Sequence, residues 1–361
     1  MKKQFVKFLS LCVLGATTVF VSCDKNSDDE KPEVKSVKRV FFLNEGSMGA
    51  NNSTLDVYYP DGESDYQSKV FAAANGQGLG DTGQDLLAYG NRIYVSVSGS
   101  NYLAKLDQKG KIVEQYSFTE TDGSPRYLAA KDGFIYVSTY GGKVMKFDTA
   151  AIVAPKGAVE VGTRPEEICI SGNSLYAVIA GDYNVAYDST LAVVDLTAFS
   201  LKDKFTVAID PTNVLSVGDK LCVIHYNTTT WAQEIMEVNP STKESKVLCP
   251  GSKMATDGEF LYYVNSSTDW TTMQTTTFIL KKDIFNLNMK ADSEFLDLTS
   301  TPEIKTATIY LFEIDPDNGD FYVGTTDYKT NGTIYRFDKA GKFITKFETS
   351  GINPNSAAFV K

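Results

Sequence analysis

A single histidine, His225, limits the chemistry open to this chain of 361 residues. Ser-His-Asp and Cys-His mechanisms use a histidine as the general base, so a site of that kind must contain His225. No nucleophile-elbow motif accompanies it. One histidine also cannot supply an ordinary zinc or facial-triad site. We therefore interpret His225 as a loop or core residue, with contact to a ligand as the alternative.

Two polar stretches have the composition of ligand-binding loops. Asn44–Asp56 reads NEGSMGANNSTLD, but it lacks the Gly-Lys-Ser/Thr ending of a P-loop and no helical pattern follows it. Asp315–Asp320 reads DPDNGD, but it lacks the spacing and the terminal Glu of an EF-hand loop. We expect the second stretch to form a β-turn. The sequence therefore predicts no metal site and no cofactor.

Acidic pairs leave one enzymatic alternative open. The chain has 45 acidic residues, and sequence alone gives no distances between them, so a carboxylate pair for glycoside hydrolysis is not excluded. Nothing singles out one pair, and a binding protein without catalytic residues is the simpler interpretation. The formal net charge of −10 argues against a nucleic-acid partner, because phosphate binding needs a basic face.

The N-terminus has the pattern of a targeting signal. Three lysines precede an apolar stretch from Phe8 to Val21, which is too short to cross a bilayer as a helix. Ser22 and Cys23 follow it directly, and a small residue before a cysteine resembles a bacterial lipobox. We predict a lipoprotein signal peptide over 1–22, lipidation of Cys23 and an acidic flexible tether over 23–33. The alternative is an ordinary secretory signal with an incidental cysteine.

Short β-rich segments repeat along the rest of the chain, each with an apolar strand such as NRIYVSV or GFIYVST. A second strand that ends in an Asx turn follows each one. Seven copies predict an all-β, seven-bladed β-propeller of four-stranded antiparallel blades over 34–361. The C-terminal strand, 356–360, is expected to complete the N-terminal blade and close the ring. The aligned positions of the repeated strand are Phe41, Tyr94, Tyr136, Tyr176, Cys222, Tyr262 and Tyr322.

The predicted loops are unequal on the two faces of the propeller. The connections between first and second strands and between third and fourth strands are tight. The connections between second and third strands are long and irregular, and both tryptophans lie in them. Irregular loops on a rigid frame are the usual place for binding. The ligand-binding residues predicted on this face are Asn44, Met48, Asn51, Tyr102, Arg126, Tyr140, Arg164, Tyr183, Tyr187, Tyr226, Trp231, Trp270 and Tyr328.

Tyrosine and tryptophan suit a planar or sugar ligand, because they combine a flat apolar surface with a polar group. Packing of one loop on another is the alternative role for any one of them. The cysteines that remain after the signal, Cys169, Cys222 and Cys249, are an odd and widely spaced set. They are expected to be buried free thiols rather than disulfide or zinc ligands.

Several motifs carry a resemblance to a known group. Ile93–Ser96 and Ile135–Ser138 resemble the strands of YVTN-type surface propellers. The N-terminal segments 42–46, 53–56, 74–76 and 79–81 look like the Bacteroidota outer-membrane propeller lipoproteins. The acidic cluster 28–30 after Cys23 is similar to their surface-export tag, with a plain linker on a periplasm-facing lipoprotein as the alternative.

The resemblance implies a function. The group includes surface cobalamin-binding proteins that partner TonB-dependent corrinoid transporters. A non-enzymatic lipoprotein would then capture cobalamin or another corrinoid on the loop-rich face and deliver it to the transporter. It would be attached to the outer membrane by its lipid alone and face the exterior. The alternatives are a glycan-binding lipoprotein of a polysaccharide-utilisation system and, less favoured, a propeller hydrolase.

Overall fold

A computed structural model describes residues 38–61, 66–230, 232–269, 271–272, 274–285 and 293–361 of the chain. The predicted signal peptide, Cys23 and the tether lie outside these residues. Within them, no helix is long and apolar enough to cross a membrane. The described chain from Lys38 onward belongs to one compact unit.

The described residues form seven four-stranded antiparallel sheets, with one short α-helix, α1 (Val70–Asn75), and one 3-10 helix (Pro302–Thr306). The fold is the seven-bladed propeller that the sequence predicts. The strands are β1 (Arg39–Asn44), β2 (Thr54–Tyr58), β3 (Tyr66–Gln67), β4 (Gly83–Tyr89), β5 (Arg92–Val97), β6 (Tyr102–Leu106), β7 (Ile112–Ser117), β8 (Pro125–Lys131), β9 (Phe134–Thr139), β10 (Lys143–Asp148), β11 (Ala151–Glu160), β12 (Pro165–Ser171), β13 (Ser174–Asp182), β14 (Ala186–Asp195), β15 (Ser200–Thr206), β16 (Pro211–Val217), β17 (Lys220–Asn227), β18 (Ala232–Val238), β19 (Ser245–Pro250), β20 (Lys253–Thr256), β21 (Leu261–Asp269), β22 (Gln274–Lys282), β23 (Ser293–Glu294), β24 (Thr308–Ile314), β25 (Phe321–Thr326), β26 (Thr333–Phe337), β27 (Phe343–Glu348) and β28 (Pro354–Val360).

The ring closes through its first blade, which has the strand order β28-β1-β2-β3. In the antiparallel pairing of β28 with β1, Phe41 lies opposite Ala358 and Phe42 opposite Ala357. The other six blades are β4–β7, β8–β11, β12–β15, β16–β19, β20–β23 and β24–β27. The first strand of each blade contacts the first strands of both neighbours, which surrounds a central channel with seven strands. The predicted closure by the C-terminal strand is confirmed.

The hydrophobic core is divided among the blade interfaces. Each of seven clusters of buried side chains joins two neighbouring blades, including the pair formed by the last and first blades. All seven aligned positions of the repeated strand are buried, and each one packs in a different cluster. The repeat is therefore a packing repeat, because a blade must cover both of its faces with its neighbours.

The serine of the repeated strand also joins blades. The Ser96 hydroxyl donates to the carbonyl oxygen of Arg126 in the next blade, 2.6 Å away. One blade further, the Ser138 hydroxyl donates to the carbonyl oxygen of Glu166 at 2.8 Å. These bonds fix the first strand of one blade on the second strand of the blade before it, and so they set the positions of the residues that line the channel.

The turns from first to second strand are tight, as predicted. Six of the blades make the turn from first to second strand through a glycine with positive φ, for example Gly90 (60°) and Gly319 (78°), where a side chain would be strained. Asp315–Asp320 forms one of these turns, in which the Gly319 N–H donates to the Asp315 carbonyl oxygen at 2.9 Å. Cys222 and Cys249 are buried and Cys169 is half-buried, and Cys169 and Cys222 are free thiols. The thiol prediction is therefore confirmed in full for Cys222, in the free state for Cys169 and in burial for Cys249.

His225 lies near the end of β17 and is buried. Its Nδ1 is 3.2 Å from the Ile209 carbonyl oxygen, and its Nε2 is 3.3 Å from Glu234 Oε2. These contacts agree with a structural role for the single histidine.

Candidate functional site: the mouth of the central channel

In most blades the first strand carries an irregularity close to its start, whereas β20 pairs with β21 in unbroken register. At that point the pairing of the first strand with the second strand of the same blade skips one or two residues, as in a β-bulge. A bulge changes the direction in which the side chains point. The side chains at and beside these bulges line one cavity. The shifts fall between Gly83 and Asp85, Pro125 and Leu128, Pro165 and Ile168, Pro211 and Asn213, and Ile309 and Leu311.

The cavity has a volume of about 590 Å³ and lies at the end of the channel that faces the irregular loops. Met48, Ser98 and Tyr140 from those loops form its rim. Leu215 and Glu313, later residues of the first strands, lie deeper. The other polar residues that the first strands place in the wall are Gln84, Asp85, Arg126, Tyr127, Glu167, Asn213, Lys253, Tyr310, Asn355 and Ser356.

Three carboxyl groups of the cavity titrate far above their ordinary range. Burial is the main cause, and it raises the pKa of Asp85 to about 6, of Glu167 to about 7 and of Glu313 to about 8. Repulsion by Asp85 adds to the rise in the pKa of Glu167, and repulsion by both adds to that of Glu313. Protein surrounds Asp85, Glu167 and Glu313, but all three side chains face the cavity and therefore keep some accessible surface.

These groups differ in their partners. Asp85 Oδ1 accepts a hydrogen bond from the Ser356 hydroxyl at 2.9 Å, and Glu167 Oε2 accepts one from the Val214 N–H at 3.0 Å. Burial lowers the pKa of Lys253, although three nearby carboxylates oppose the fall. Among the residues that the structure describes, neither the Lys253 ammonium nor the Glu313 carboxyl has a hydrogen-bond partner. Lys253 Nζ lies 5.1 Å from the centre of the Tyr310 ring.

One side of the rim is a fixed cluster of paired charges. Arg126 Nη2 is 2.7 Å from Glu166 Oε2, and the Tyr140 hydroxyl donates to the other oxygen of the same carboxylate. The Arg126 guanidinium lies 4.5 Å from the centre of the Tyr140 ring, and that of Arg164 lies 5.5 Å from it. Because these charges pair with each other, the cluster forms a stiff wall.

A groove continues from the cavity across the loop-rich face, along the last three blades. Its volume is about 370 Å³, and Asn213, Lys253 and Tyr310 line both the groove and the cavity. Tyr310 and Tyr328 meet edge to face, with ring centres 5.9 Å apart. The remaining wall is mainly hydroxyl groups. Its other residues are Thr212, Tyr226, Gln233, Ser252, Ser266, Thr268, Thr275, Thr308 and Ile309.

The residues predicted as ligand contacts do not all lie together. Met48, Arg126 and Tyr140 line the cavity, and Tyr226 and Tyr328 line the groove. Outside both lie the exposed Tyr183 and the half-buried Arg164 in loops, and the exposed Tyr187 in β14. Asn51 lines a separate pocket beside α1. Trp231, Trp270 and the lipidation site Cys23 lie outside the described residues.

Asn44 and Tyr102 lie inside the fold instead of on its surface. Asn44 Nδ2 donates to Asp56 Oδ2 at 2.7 Å, which joins β1 to β2. The Tyr102 hydroxyl donates to the Leu79 carbonyl oxygen, and its ring packs between the first two blades. Arg126 lies on a strand and not in a loop, because it belongs to β8 and lines the channel.

The sequence interpretation missed most of the channel wall. Asp85, Glu167, Lys253 and Glu313 were not singled out, because each lies in a strand and not in a loop. A signal for several of these positions is present in the sequence. A proline followed by two polar or aromatic residues opens four first strands, in the segments SPRY, RPEE, DPTN and NPNS. Within the described part of the chain, no group of three or more His, Cys, Asp or Glu is placed to hold a metal ion.

Comparisons with known proteins identify the fold alone. No family model matches the chain, and a search of curated proteins finds no match. A proposed 6-phosphogluconolactonase from Bacteroides fragilis NCTC 9343 superposes with a TM-score of 0.62 at 15% identity, covering 91% of this chain and 100% of that one.

Two further solved structures are similar. Hydrazine synthase from Kuenenia stuttgartiensis gives a TM-score of 0.61 at 14% identity, over 76% of this chain and 89% of that one. Apo AztD from Citrobacter koseri gives 0.54 at 11% identity, over 90% and 98%. The propeller fold is thus shared with enzymes as well as with other proteins, and the function must be argued from the site.

Proposed function

We propose that this propeller is a non-enzymatic ligand-binding protein that captures a small ligand on its loop-rich face, with cobalamin or another corrinoid as the first candidate. One observation carries the proposal. The cavity of about 590 Å³ and the groove of about 370 Å³ open side by side on that face and share Asn213, Lys253 and Tyr310. Together they suit a ligand with a broad body and a projecting arm.

The chemistry of the groove agrees with a flat ligand that carries amide groups. Tyr328 lies at the edge of the groove and is 56% exposed, so the apolar surface of its ring is available for stacking. The threonine and serine hydroxyls of the wall both donate and accept hydrogen bonds. A corrin ring is broad, flat and bordered by amide side chains. The choice of a corrinoid also rests on the resemblance of the N-terminal and repeated motifs to the surface cobalamin-binding propellers.

Calorimetry and absorption spectroscopy with cyanocobalamin test the proposal. We expect submicromolar binding by protein that begins after Cys23, and the absence of both heat and a spectral shift would refute it. Tyr328→Ala should weaken binding about tenfold, because truncation of an aromatic contact commonly costs 1–2 kcal/mol. Tyr183→Ala is the matched control, since Tyr183 is 68% exposed but lies outside the groove. Equal losses in both variants would contradict binding in the groove.

The same proposal includes attachment by lipid at Cys23 to the outer membrane, facing outward, and delivery of the ligand to a TonB-dependent transporter. Its support is the signal-like N-terminus and the acidic segment 28–30. Cys23→Ser should move the protein out of the membrane fraction, and protease added to intact cells should digest the native form. Capture of a TonB-dependent transporter by the tagged native protein tests the partnership. If the protein binds glycans on an array and does not bind cyanocobalamin, the polysaccharide alternative would be favoured.

A hydrolase is the second candidate, because of Glu167 and Glu313. Burial raises their pKa to about 7 and about 8, so one protonated and one ionised carboxyl can coexist in the cavity near neutral pH. Turnover of a panel of sugar lactones and glycosides, abolished by Glu313→Gln, would support this candidate over simple binding. No turnover by the native protein would count against it.

A further inference from the structure

Lys253 and Glu313 are the acidic and basic side chains of the cavity that the protein leaves without a hydrogen-bond partner among its described residues. Lys253 is the first residue of β20, at the junction of cavity and groove. Glu313 lies deeper, near the end of the neighbouring first strand, β24. The two are close enough to affect each other's pKa. A donor and an acceptor therefore face the same space, one above the other along the channel.

The surrounding charges restrict what that space can hold. Glu45, Asp85 and Glu167 also line the cavity, and Arg126 in the same wall is already paired with Glu166, so an anionic ligand group would meet repulsion from several carboxylates. A cationic group would compete with the Lys253 ammonium, which already interacts with Glu45 and Glu167 and lies over the Tyr310 ring. A neutral group avoids both costs.

The hydrogen-bonding pattern then selects the kind of neutral group. An ammonium group only donates hydrogen bonds, whereas a carboxyl group offers acceptor oxygens in either protonation state. The complement is a group with an acceptor oxygen and an N–H donor side by side. A primary carboxamide has this arrangement, because its C=O can accept from Lys253 while its NH₂ donates to Glu313.

We propose that Lys253 and Glu313 form a subsite for a primary carboxamide, which takes one amide arm of a ligand whose body lies in the groove. The inference deepens the proposed function and rests on it in assigning the arm to a larger ligand. Lys253 determines the position of the amide oxygen, and Glu313 that of the amide nitrogen. A ligand with a carboxylate in place of that amide is then excluded by the neighbouring acids.

Three small probes of similar size test the subsite directly: propionamide, sodium propionate and propylammonium chloride. Ligand-observed NMR with protein that begins after Cys23 should show propionamide binding at least about tenfold more tightly than the other two probes. Lys253→Met and Glu313→Leu should each weaken propionamide binding about tenfold. Glu313→Gln should keep most of it, because the glutamine side-chain oxygen still accepts. Lys156→Met, on an exposed outer strand, is the control for an unrelated loss of charge.

The outcomes separate this subsite from the corrinoid proposal. Propionamide binding with the expected variant pattern, but no cyanocobalamin binding, would leave the subsite standing and refute the corrinoid. Tight cyanocobalamin binding that Lys253→Met leaves unchanged would overturn the subsite alone. Binding of propionate or propylammonium as tightly as propionamide, or binding of none of the three, would also overturn the subsite. Thermal unfolding of each variant establishes that a loss of binding is not a loss of fold.

Discussion

The carboxylate of Asp85 accepts a hydrogen bond from the backbone N–H of Leu128 in the next blade, with Oδ2 2.8 Å from the nitrogen. Glu167 and Val214 repeat this relationship two blades further on, at 3.0 Å. In both cases an acidic residue beside the bulge of one first strand satisfies a backbone donor of the neighbouring first strand. The channel wall is therefore a ring of contacts between blades as well as a binding surface. Changes to its acids should alter stability and binding together.

The carboxyl of Glu313 predicts an unusual dependence of stability on pH. Its pKa is raised from an ordinary 4.5 to about 8, so the unfolded chain loses this proton at a lower pH than the folded chain does. The contribution to stability is then fully present below pH 4.5 and is lost as pH rises toward 8. Asp85 and Glu167 act in the same direction. We expect the urea midpoint to be higher at pH 5.5 than at pH 8.

Glu313→Gln is the matched test of that cause. Glutamine has nearly the same shape and does not ionise, so the variant should be more stable than the native protein at pH 8 by about 1–3 kcal/mol. At pH 5.5 the two should differ little. A native midpoint that rises between pH 5.5 and 8, or a variant with the native pH dependence, would contradict this assignment.

The pair of Arg126 and Glu166 predicts a different kind of effect. The two side chains are mostly buried and 2.7 Å apart, so removing the cation leaves a carboxylate with poor solvation. Arg126→Met should therefore destabilise the fold by about 2–4 kcal/mol.

The double variant Arg126→Met/Glu166→Gln should recover most of that loss, because it removes the unpaired charge. Denaturant unfolding at pH 7 compares the two variants with the native protein. If the single and double variants unfold at the same midpoint, the loss comes from packing and not from the unpaired carboxylate.

The propeller could be predicted from the sequence because the packing at the blade interfaces repeats along the chain. Positions such as Tyr94 and Tyr136 recur at the same place of successive blade interfaces, so a strand pattern predicts their burial. The site does not repeat in this way. Lys253 and Glu313 have no counterpart of the same type at the corresponding places, and the cavity exists only because seven distant strands meet. For Tyr102 the error is the opposite one. The sequence predicts a loop residue that contacts a ligand, whereas the side chain packs in a core cluster.

The three cysteine thiols of the described residues, Cys169, Cys222 and Cys249, should react slowly in the folded protein. Burial raises the pKa of Cys222 to about 12 and that of Cys169 further, so the reactive thiolate is scarce at neutral pH. With dithiobis(nitrobenzoate), all three should react at least about a hundredfold more slowly in buffer than in denaturant. Cys169 should react first, because it is half-buried and the reagent can reach it, although its thiolate is scarcer than that of Cys222. Cys169→Ser should remove that first phase. Rapid native reaction of two or more thiols would contradict the burial.

Ring closure by β28 makes the C-terminus essential to folding. Removal of residues 354–361 would expose the edge of β1, and it would uncover Phe41 and Phe42 where they now lie opposite Ala358 and Ala357. The contacts of β28 with β4 and β24 would disappear as well. We expect the loss to exceed about 5 kcal/mol, which is comparable with the whole stability of a typical domain. Circular dichroism and size-exclusion chromatography should then show no cooperative propeller, whereas removal of Lys361 alone should have little effect.

The missing strand is a separate piece of the first blade, so a synthetic peptide of residues 352–361 should restore cooperative unfolding when it is added in excess. A truncated protein that folds without the peptide would show that the remaining six blades and three strands hold the ring by themselves.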